Sequence, residues 1–220
     1  MIVIATNNGK NHLIELLSVI NVINPDCGVS IIDTQSNDEE TIKFLNELDE
    51  KNPYRFKLQI HQTPYRGFDS GAYMYAINNI KAERFYFIQD SIRIKTLNFF
   101  KNIDSKLKPG TVVPLITFPA NTYDSQEQID FCLNNFGKAE FSQGIFGPMF
   151  AIMNEDAQKI DKKHLVWPTN KMLQMGLERG WGVLFDMYGI NIDPLEGAYD
   201  YYRLINDQYT QFRKIINYRA

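Results

Sequence analysis

Cysteine is scarce in this chain: among 220 residues there are two, Cys27 and Cys132, far apart and near no other ligand-like Cys or His. That count argues against a disulfide framework and a zinc site, and it suits a reducing compartment. Surplus positive charge is also lacking. Lys and Arg number 23 against 26 Asp and Glu, for a formal net charge of -3, with no basic cluster of the kind a phosphate backbone requires, so nucleic acid is not an expected partner. No apolar run approaches the roughly 20 residues that span a bilayer. The start, Met1 to Thr6, has no basic n-region, so it does not read as a signal peptide. The expectation is a cytoplasmic protein without a transmembrane segment, for which only peripheral membrane contact is left. Neither Gly-x-Gly-x-x-Gly nor a phosphate-loop Lys is present, which weakens dinucleotide and ATP readings.

What is present is ordinary globular composition, 44% hydrophobic and 22% charged, with a generous 15 Phe and 12 Tyr. The length suits a single domain over 1–220 with a sizeable core. Ile2 to Thr6 is a continuous apolar run ending in the polar turn Thr6-Asn7-Asn8-Gly9, as for a buried strand. Leu13, Leu16, Leu17 and Ile20 then repeat at helical spacing as far as Pro25. Val29 to Ile32 reads as a second strand, Ile42, Leu45 and Leu48 as a helix, Phe56 to Ile60 as a third strand, Gly71 to Ile80 as a helix and Phe85 to Ile88 as a fourth strand. Alternating strands and helices imply an α/β fold with a mostly parallel sheet, because parallel neighbours need crossover connections.

The second half is less regular. Val112 to Thr117 reads as a strand, Ser125 to Leu133 as a helix and Phe146 to Met153 as a strand. Lys171 to Arg179 reads as a helix stopped by Gly180, Trp181 to Phe185 as a late strand, and Tyr199 to Tyr218 as a closing amphipathic helix. Ligands of open parallel sheets bind beyond the carboxyl ends of the strands. The polar clusters Thr6 to Asn8, Asp33 to Asp38 and Asp90-Ser91 all follow strands, so they should converge on one rim, with Thr6, Asp33 and Asp90 sharing a crevice.

Two stretches carry chemistry. One is Ile31-Ile32-Asp33-Thr34-Gln35-Ser36-Asn37-Asp38, a hydrophobic strand running into Asp-x-x-Ser-x-Asp. Residue by residue it also suits a loop of turn and cap residues, with Ser36 or Asp38 capping the next helix. The other is Tyr65-Arg66-Gly67-Phe68-Asp69-Ser70-Gly71-Ala72-Tyr73, followed by Phe85-Tyr86-Phe87-Ile88-Gln89-Asp90-Ser91. There too a structural role is open: Gly67 and Gly71 for a turn and close packing, Asp69 as a helix cap. Together the stretches resemble family 2 glycosyltransferases of the GT-A fold, in which the second corresponds to a Gly-rich turn, a small-residue helix and a strand ending in Asp-x-Asp. Phe146-Gly147-Pro148-Met149-Phe150-Ala151 is similar to that family's acceptor-facing strand.

The resemblance implies a Rossmann-like, GT-A-like domain with a nucleotide-sugar-binding half over 1–95 and an acceptor-side half over 96–220. It implies a UDP-sugar or other nucleotide-sugar donor held by Thr6, Asn7, Asn8, Asp33, Ser36, Arg66, Asp69 and Gly71. A carboxylate such as Asp33 suits ribose hydroxyls or a base N–H. A divalent metal, Mn or Mg, would sit on Asp90 and neutralise charge growing on the leaving nucleoside diphosphate. The implied reaction is an inverting transfer of one sugar, a hexosyl group, onto a hydroxyl of a glycan or lipid-linked acceptor, as in polysaccharide biosynthesis.

Two departures stand out. Asp-x-Asp is reduced to Asp90-Ser91-Ile92, and where the family carries the acid that takes the acceptor's proton this chain has Pro168-Thr169-Asn170-Lys171. The base is then sought elsewhere, first at Asp186, taken as the end of the late strand, and second at Asp156 after the acceptor-like strand. Two other readings remain open: a domain that binds nucleotide sugar or glycan without catalysis, and a nucleotidyltransferase. The latter's usual Gly-rich, Arg- and Lys-bearing first loop is absent from Thr6 to Lys10.

Overall fold

The computed structural model describes residues 1–63 and 68–215. The elements in chain order are β1 (Ile2–Thr6), α1 (Lys10–Ile23), β2 (Val29–Asp33), α2 (Glu39–Glu50), β3 (Leu58–Gln62), α3 (Phe68–Asn79), β4 (Arg84–Gln89), β5 (Ile92–Ile94) and α4 (Phe99–Asp104). They continue with β6 (Thr111–Pro114), β7 (Thr117–Phe118), α5 (Gln126–Phe136), β8 (Gly144–Ile145), β9 (Phe150–Met153) and α6 (Asn154–Ala157). A short 3-10 turn at Lys162–His164 precedes α7 (Lys171–Met187), β10 (Asn191–Ile192), α8 (Tyr201–Ile205) and β11 (Phe212–Lys214).

Seven strands form one sheet in the order β10-β6-β9-β4-β1-β2-β3. Within it β9 alone runs antiparallel to its neighbours β4 and β6; the other pairs are parallel. The sheet is buried on both faces, which is why β1, β2 and β4 read as unbroken apolar runs. Alternation sorts their side chains between two cores. Ile2 and Ile4 meet Leu13, Leu16, Leu17 and Ile20 of α1 on one face, while Val3 and Ala5 meet α3 and α7 on the other. Each fully buried Leu or Ile contributes about 1.5–3 kcal/mol, so the four of α1 fix its face against the sheet.

The first half follows the sequence expectation closely. β3 begins at Leu58, two residues after the expected Phe56, which keeps the same alternation. The second half departs from it. Trp181 to Phe185 belongs to α7, and Gly180 does not stop that helix. A Cβ at Gly180 would lie 2.7 Å from the Phe136 ring, and one at Gly182 would lie 2.2 Å from the Gln143 carbonyl oxygen. These glycines serve close approach of α7 to α5 and β8, and burial on all sides erases the apolar-polar contrast that marks a surface helix. Of the expected strand at Phe146 to Met153, only Phe150–Met153 pairs, because Gly147 takes φ 58°. The expected closing helix shortens to α8, Asp207 turns the chain at φ 54°, and β11 pairs antiparallel with β5. Positions 216–218 of that expectation lie outside the described residues.

Candidate active site

Parallel register brings the strand ends to one rim. Thr6 lies opposite Asp33, and Ala5 lies opposite Gln89, so Asp90 follows directly beside Thr6. Thr6 Oγ1 donates to Asp90 Oδ2 at 2.8 Å, and all three of Thr6, Asp33 and Asp90 are buried. Gly9 roofs the pair: a Cβ there would lie 1.9 Å from Asp90 Oδ2 and 2.6 Å from Thr6 Oγ1. No side chain larger than hydrogen fits between the start of α1 and this carboxylate.

Asp33 shapes its own loop. Its Oδ1 accepts from Ser36 N at 3.0 Å and Ser36 Oγ at 2.6 Å, a capping-type bond that fixes the turn. Asn8, at φ 54°, ties the first loop to the second: its Oδ1 accepts from the N–H groups of Asn37 and Asp38, and its own N–H donates to Ser36 Oγ. Asn7 Nδ2 donates to the Thr34 carbonyl at 2.7 Å. Asp38 caps α2 by accepting from Thr41 N at 2.8 Å. The polar residues of both loops thus build a braced double loop along the rim.

Asp69, half-buried in the first turn of α3, accepts a hydrogen bond from Gln89 Nε2. Burial raises its pKa, Asp90 adds to the rise, and Lys214 and Lys171 oppose it. Gly71 belongs to packing, because a Cβ there would meet the Trp167 ring at 2.8 Å; that contact accounts for the glycine without a ligand. Arg66 lies outside the described residues.

The two expected bases are not at this rim. Asp186 sits in the last turn of α7, not at a strand end, and accepts from Ser142 N at 2.6 Å and Ser142 Oγ at 2.7 Å. Asp156 is fully buried, accepts from Gly110 N at 2.7 Å and pairs with Lys159 at 2.5 Å. Asp156 lies toward the opposite edge of the sheet, since it follows Met153 at the end of β9, which pairs with Arg84 at the start of β4, whereas Asp186 is tied to the segment that leads into β8. A strand of β4's length separates Asp156 from the rim by roughly 20 Å. Both carboxylates hold backbone N–H groups, a structural task.

The acid that does face the rim is Glu178, which the sequence reading passed over. Gln174 Nε2 and Trp181 Nε1 each come within 3.3 Å of Ser70 Oγ, so the α7 face carrying positions 174, 178 and 181 packs on the first turn of α3, next to Asp69. Glu178 is 7% exposed. Burial pushes its pKa up to about 7; Lys171 and Arg179 hold it down, and Asp69 adds to the rise. Arg179 Nη1 lies 3.5 Å from Glu178 Oε2, while its Nη2 pairs with Asp124 at 2.8 Å and the guanidinium sits over the Phe118 ring. The available sequence signal was an acid in an otherwise uncharged stripe at helical spacing, Gln174-Glu178-Trp181.

A divalent cation does not fit the donor set found here. Asp90 brings one carboxylate with Oδ2 on Thr6, the next residue, Ser91, accepts from Lys214 Nζ at 2.6 Å, and Ile92 is buried in β5. Among the described residues no group of three or more His, Cys, Asp or Glu is placed to hold a metal ion, and residues 64–67 and 216–220 include none of those types.

No protein-family profile and no curated protein sequence matches the chain. Solved structures do. The mannosyltransferase PcManGT from Pyrobaculum calidifontis, in complex with GDP-Man and Mn2+, is 14% identical with a TM-score of 0.58, over 94% of this chain and 60% of its own. The fold is that of the GT-A glycosyltransferases. GalNAc-T7 with UDP, GalNAc and Mn2+ is 15% identical with a TM-score of 0.54, over 81% of this chain and 39% of its own. S. aureus TarS 1-349 is 15% identical with a TM-score of 0.50, over 88% of this chain and 56% of its own. The chain therefore spans about two fifths to three fifths of these three structures. No helix among the described residues is long and apolar enough to cross a membrane.

Proposed function

We propose that this GT-A-like chain is a glycosyltransferase that takes one sugar from a nucleotide-sugar donor and passes it to a hydroxyl of a glycan or lipid-linked acceptor. The observation that carries the reading is the rim itself: Thr6, Asp33 and Asp90 meet at the carboxyl ends of adjacent parallel strands, under a glycine that no other residue could replace without moving the carboxylate. The neighbours solved with UDP and with GDP-Man support a nucleoside diphosphate as the shared part of the donor. Asp33 would hold the nucleoside and the Thr6–Asn8 loop would lie along it, with Asp69 and Gln89 at the sugar.

In an inverting transfer, the acceptor oxygen bonds to the anomeric carbon as the bond from that carbon to the phosphate oxygen breaks, and the acceptor's proton needs a base. We assign that role to Glu178 rather than to Asp156 or Asp186. A carboxyl with a pKa near 7 is substantially ionised at neutral pH and holds a proton well enough to drive the transfer. An acid in that place favours catalysis over a domain that only binds. The neighbours crystallised with Mn2+ bear on those proteins; at Asp90 the donor set described above gives no step to route through a metal.

The test is a thermal-shift panel of nucleoside diphosphates and nucleotide sugars. A ligand at 100 times its dissociation constant stabilises by about 2.7 kcal/mol, a readily detected rise in melting temperature. Glycosyl transfer is then assayed with the donor selected by the panel, for wild type and Glu178→Gln. Stabilisation by at least one nucleoside diphosphate, and a loss on the order of 100-fold in turnover in the variant, are expected. A panel without any stabilising nucleotide would overturn the reading.

A further inference from the structure

The cation at this rim comes from the far end of the chain. β11 returns to pair with β5, setting Lys214 opposite Ile92, and Ile215 N donates to the Ser91 carbonyl at 2.9 Å. This pairing carries the Lys214 ammonium onto Ser91 Oγ at 2.6 Å, directly after Asp90. Among the described residues, Asp69, Asp90 and Glu178 are acids around it and Lys171 is a second cation. Three N–H groups radiate from an ammonium and Ser91 takes one, so the remainder can meet phosphate oxygens. Lys is a compact point charge that serves phosphate well in this manner.

We propose that the Lys214 ammonium, seated on Ser91, supplies the positive charge that meets the donor's diphosphate and stabilises it as it leaves, in the place that a divalent cation holds in other proteins. This rests on the nucleotide-sugar reading above. Asp90, with one oxygen on Thr6 and a lysine-capped serine as its neighbour, makes a poor seat for Mn2+, and the ammonium beside it makes a good seat for a phosphate. The leaving nucleoside diphosphate gains negative charge as its bond to the sugar breaks, and a fixed cation nearby is stabilising without any proton transfer.

The test is calorimetric titration of UDP, GDP, uridine and guanosine into wild type, Lys214→Met and Lys214→Arg, each in EDTA and in Mn2+. Wild type is expected to bind one nucleoside diphosphate equally well in EDTA and in Mn2+. Lys214→Met should weaken that diphosphate on the order of tenfold to 100-fold while leaving the matching nucleoside unchanged, and Lys214→Arg should restore most of the loss. If Lys214→Met does not fold, the wild-type comparison still decides: diphosphate binding that requires Mn2+ overturns the proposal. Equal diphosphate affinity in Lys214→Met and wild type overturns it too, and leaves the nucleotide-sugar reading standing. If neither diphosphate nor nucleoside binds under any condition, the nucleotide-sugar reading itself falls, and Lys214's role with it.

Discussion

Glu178→Gln offers a test of the buried acid that needs no ligand. In the folded chain the carboxyl sits at about 7, against a usual 4.5 when exposed. It therefore binds its proton more tightly in the folded state. Between pH 4.5 and 7 folding takes up a proton, so stability declines as pH rises through that window and levels off above it. At 1.36 kcal/mol per pKa unit the full decline is about 3 kcal/mol. Lys171 and Arg179 on α7, Asp69 on α3 and Lys214 on β11 are the charged groups that set this value. A neutral amide in place of the Glu178 carboxyl would remove the dependence while keeping the shape. Urea unfolding of both proteins at about pH 5 and about pH 8 reads the effect as a change in midpoint at constant slope. The advantage of the variant over wild type should grow by roughly 2–3 kcal/mol from the lower pH to the higher. Parallel pH profiles for the two proteins would refute the buried, partly protonated Glu178 and with it the assignment of the base.

Gly9→Ala should destabilise the fold by about 1–3 kcal/mol and abolish nucleoside diphosphate binding, because its Cβ would displace the Asp90 carboxylate and Thr6 hydroxyl; calorimetry and melting curves check both. Asp156→Ala leaves the Gly110 N–H without its acceptor and should cost about 1–3 kcal/mol in urea unfolding, with turnover per folded molecule unchanged. Asp186→Asn should likewise keep turnover within about twofold of wild type, since its bonds go to Ser142; a loss near 100-fold would return Asp186 to the chemistry.

How much of this could be read from the sequence depended on what each element packs against. Ile2–Thr6 and Val29–Ile32 declare themselves because a parallel strand buried on both faces is an unbroken apolar run. Their polar ends declare the rim for the same reason, which is how Thr6, Asp33 and Asp90 could be grouped from spacing alone. The α7 segment hid its nature because burial on all sides leaves no polar face, and Gly180 and Gly182 read as breakers when they are contact surfaces for Phe136 and Gln143. Glu178 and Lys214 reach the rim only through tertiary packing, one from inside a helix and one from a returning strand. Asp156 and Asp186 looked reactive as isolated acids, but their bonds to backbone N–H groups are visible only in three dimensions. Asn7, Asn8 and Ser36 were grouped with the donor, and the structure adds that they brace the two loops.

The measurement that bears most directly on the central claim is backbone amide chemical-shift mapping during titration with UDP and with GDP. The account predicts that the nucleotide that binds shifts the amides of Thr6–Asn8, Asp33–Ser36 and Gln89–Ser91 together, with a single dissociation constant, while those of Gly110 and Thr111 at the far edge stay in place. Shifts centred on Gly110 and Thr111, with the strand-end amides unmoved, would contradict it.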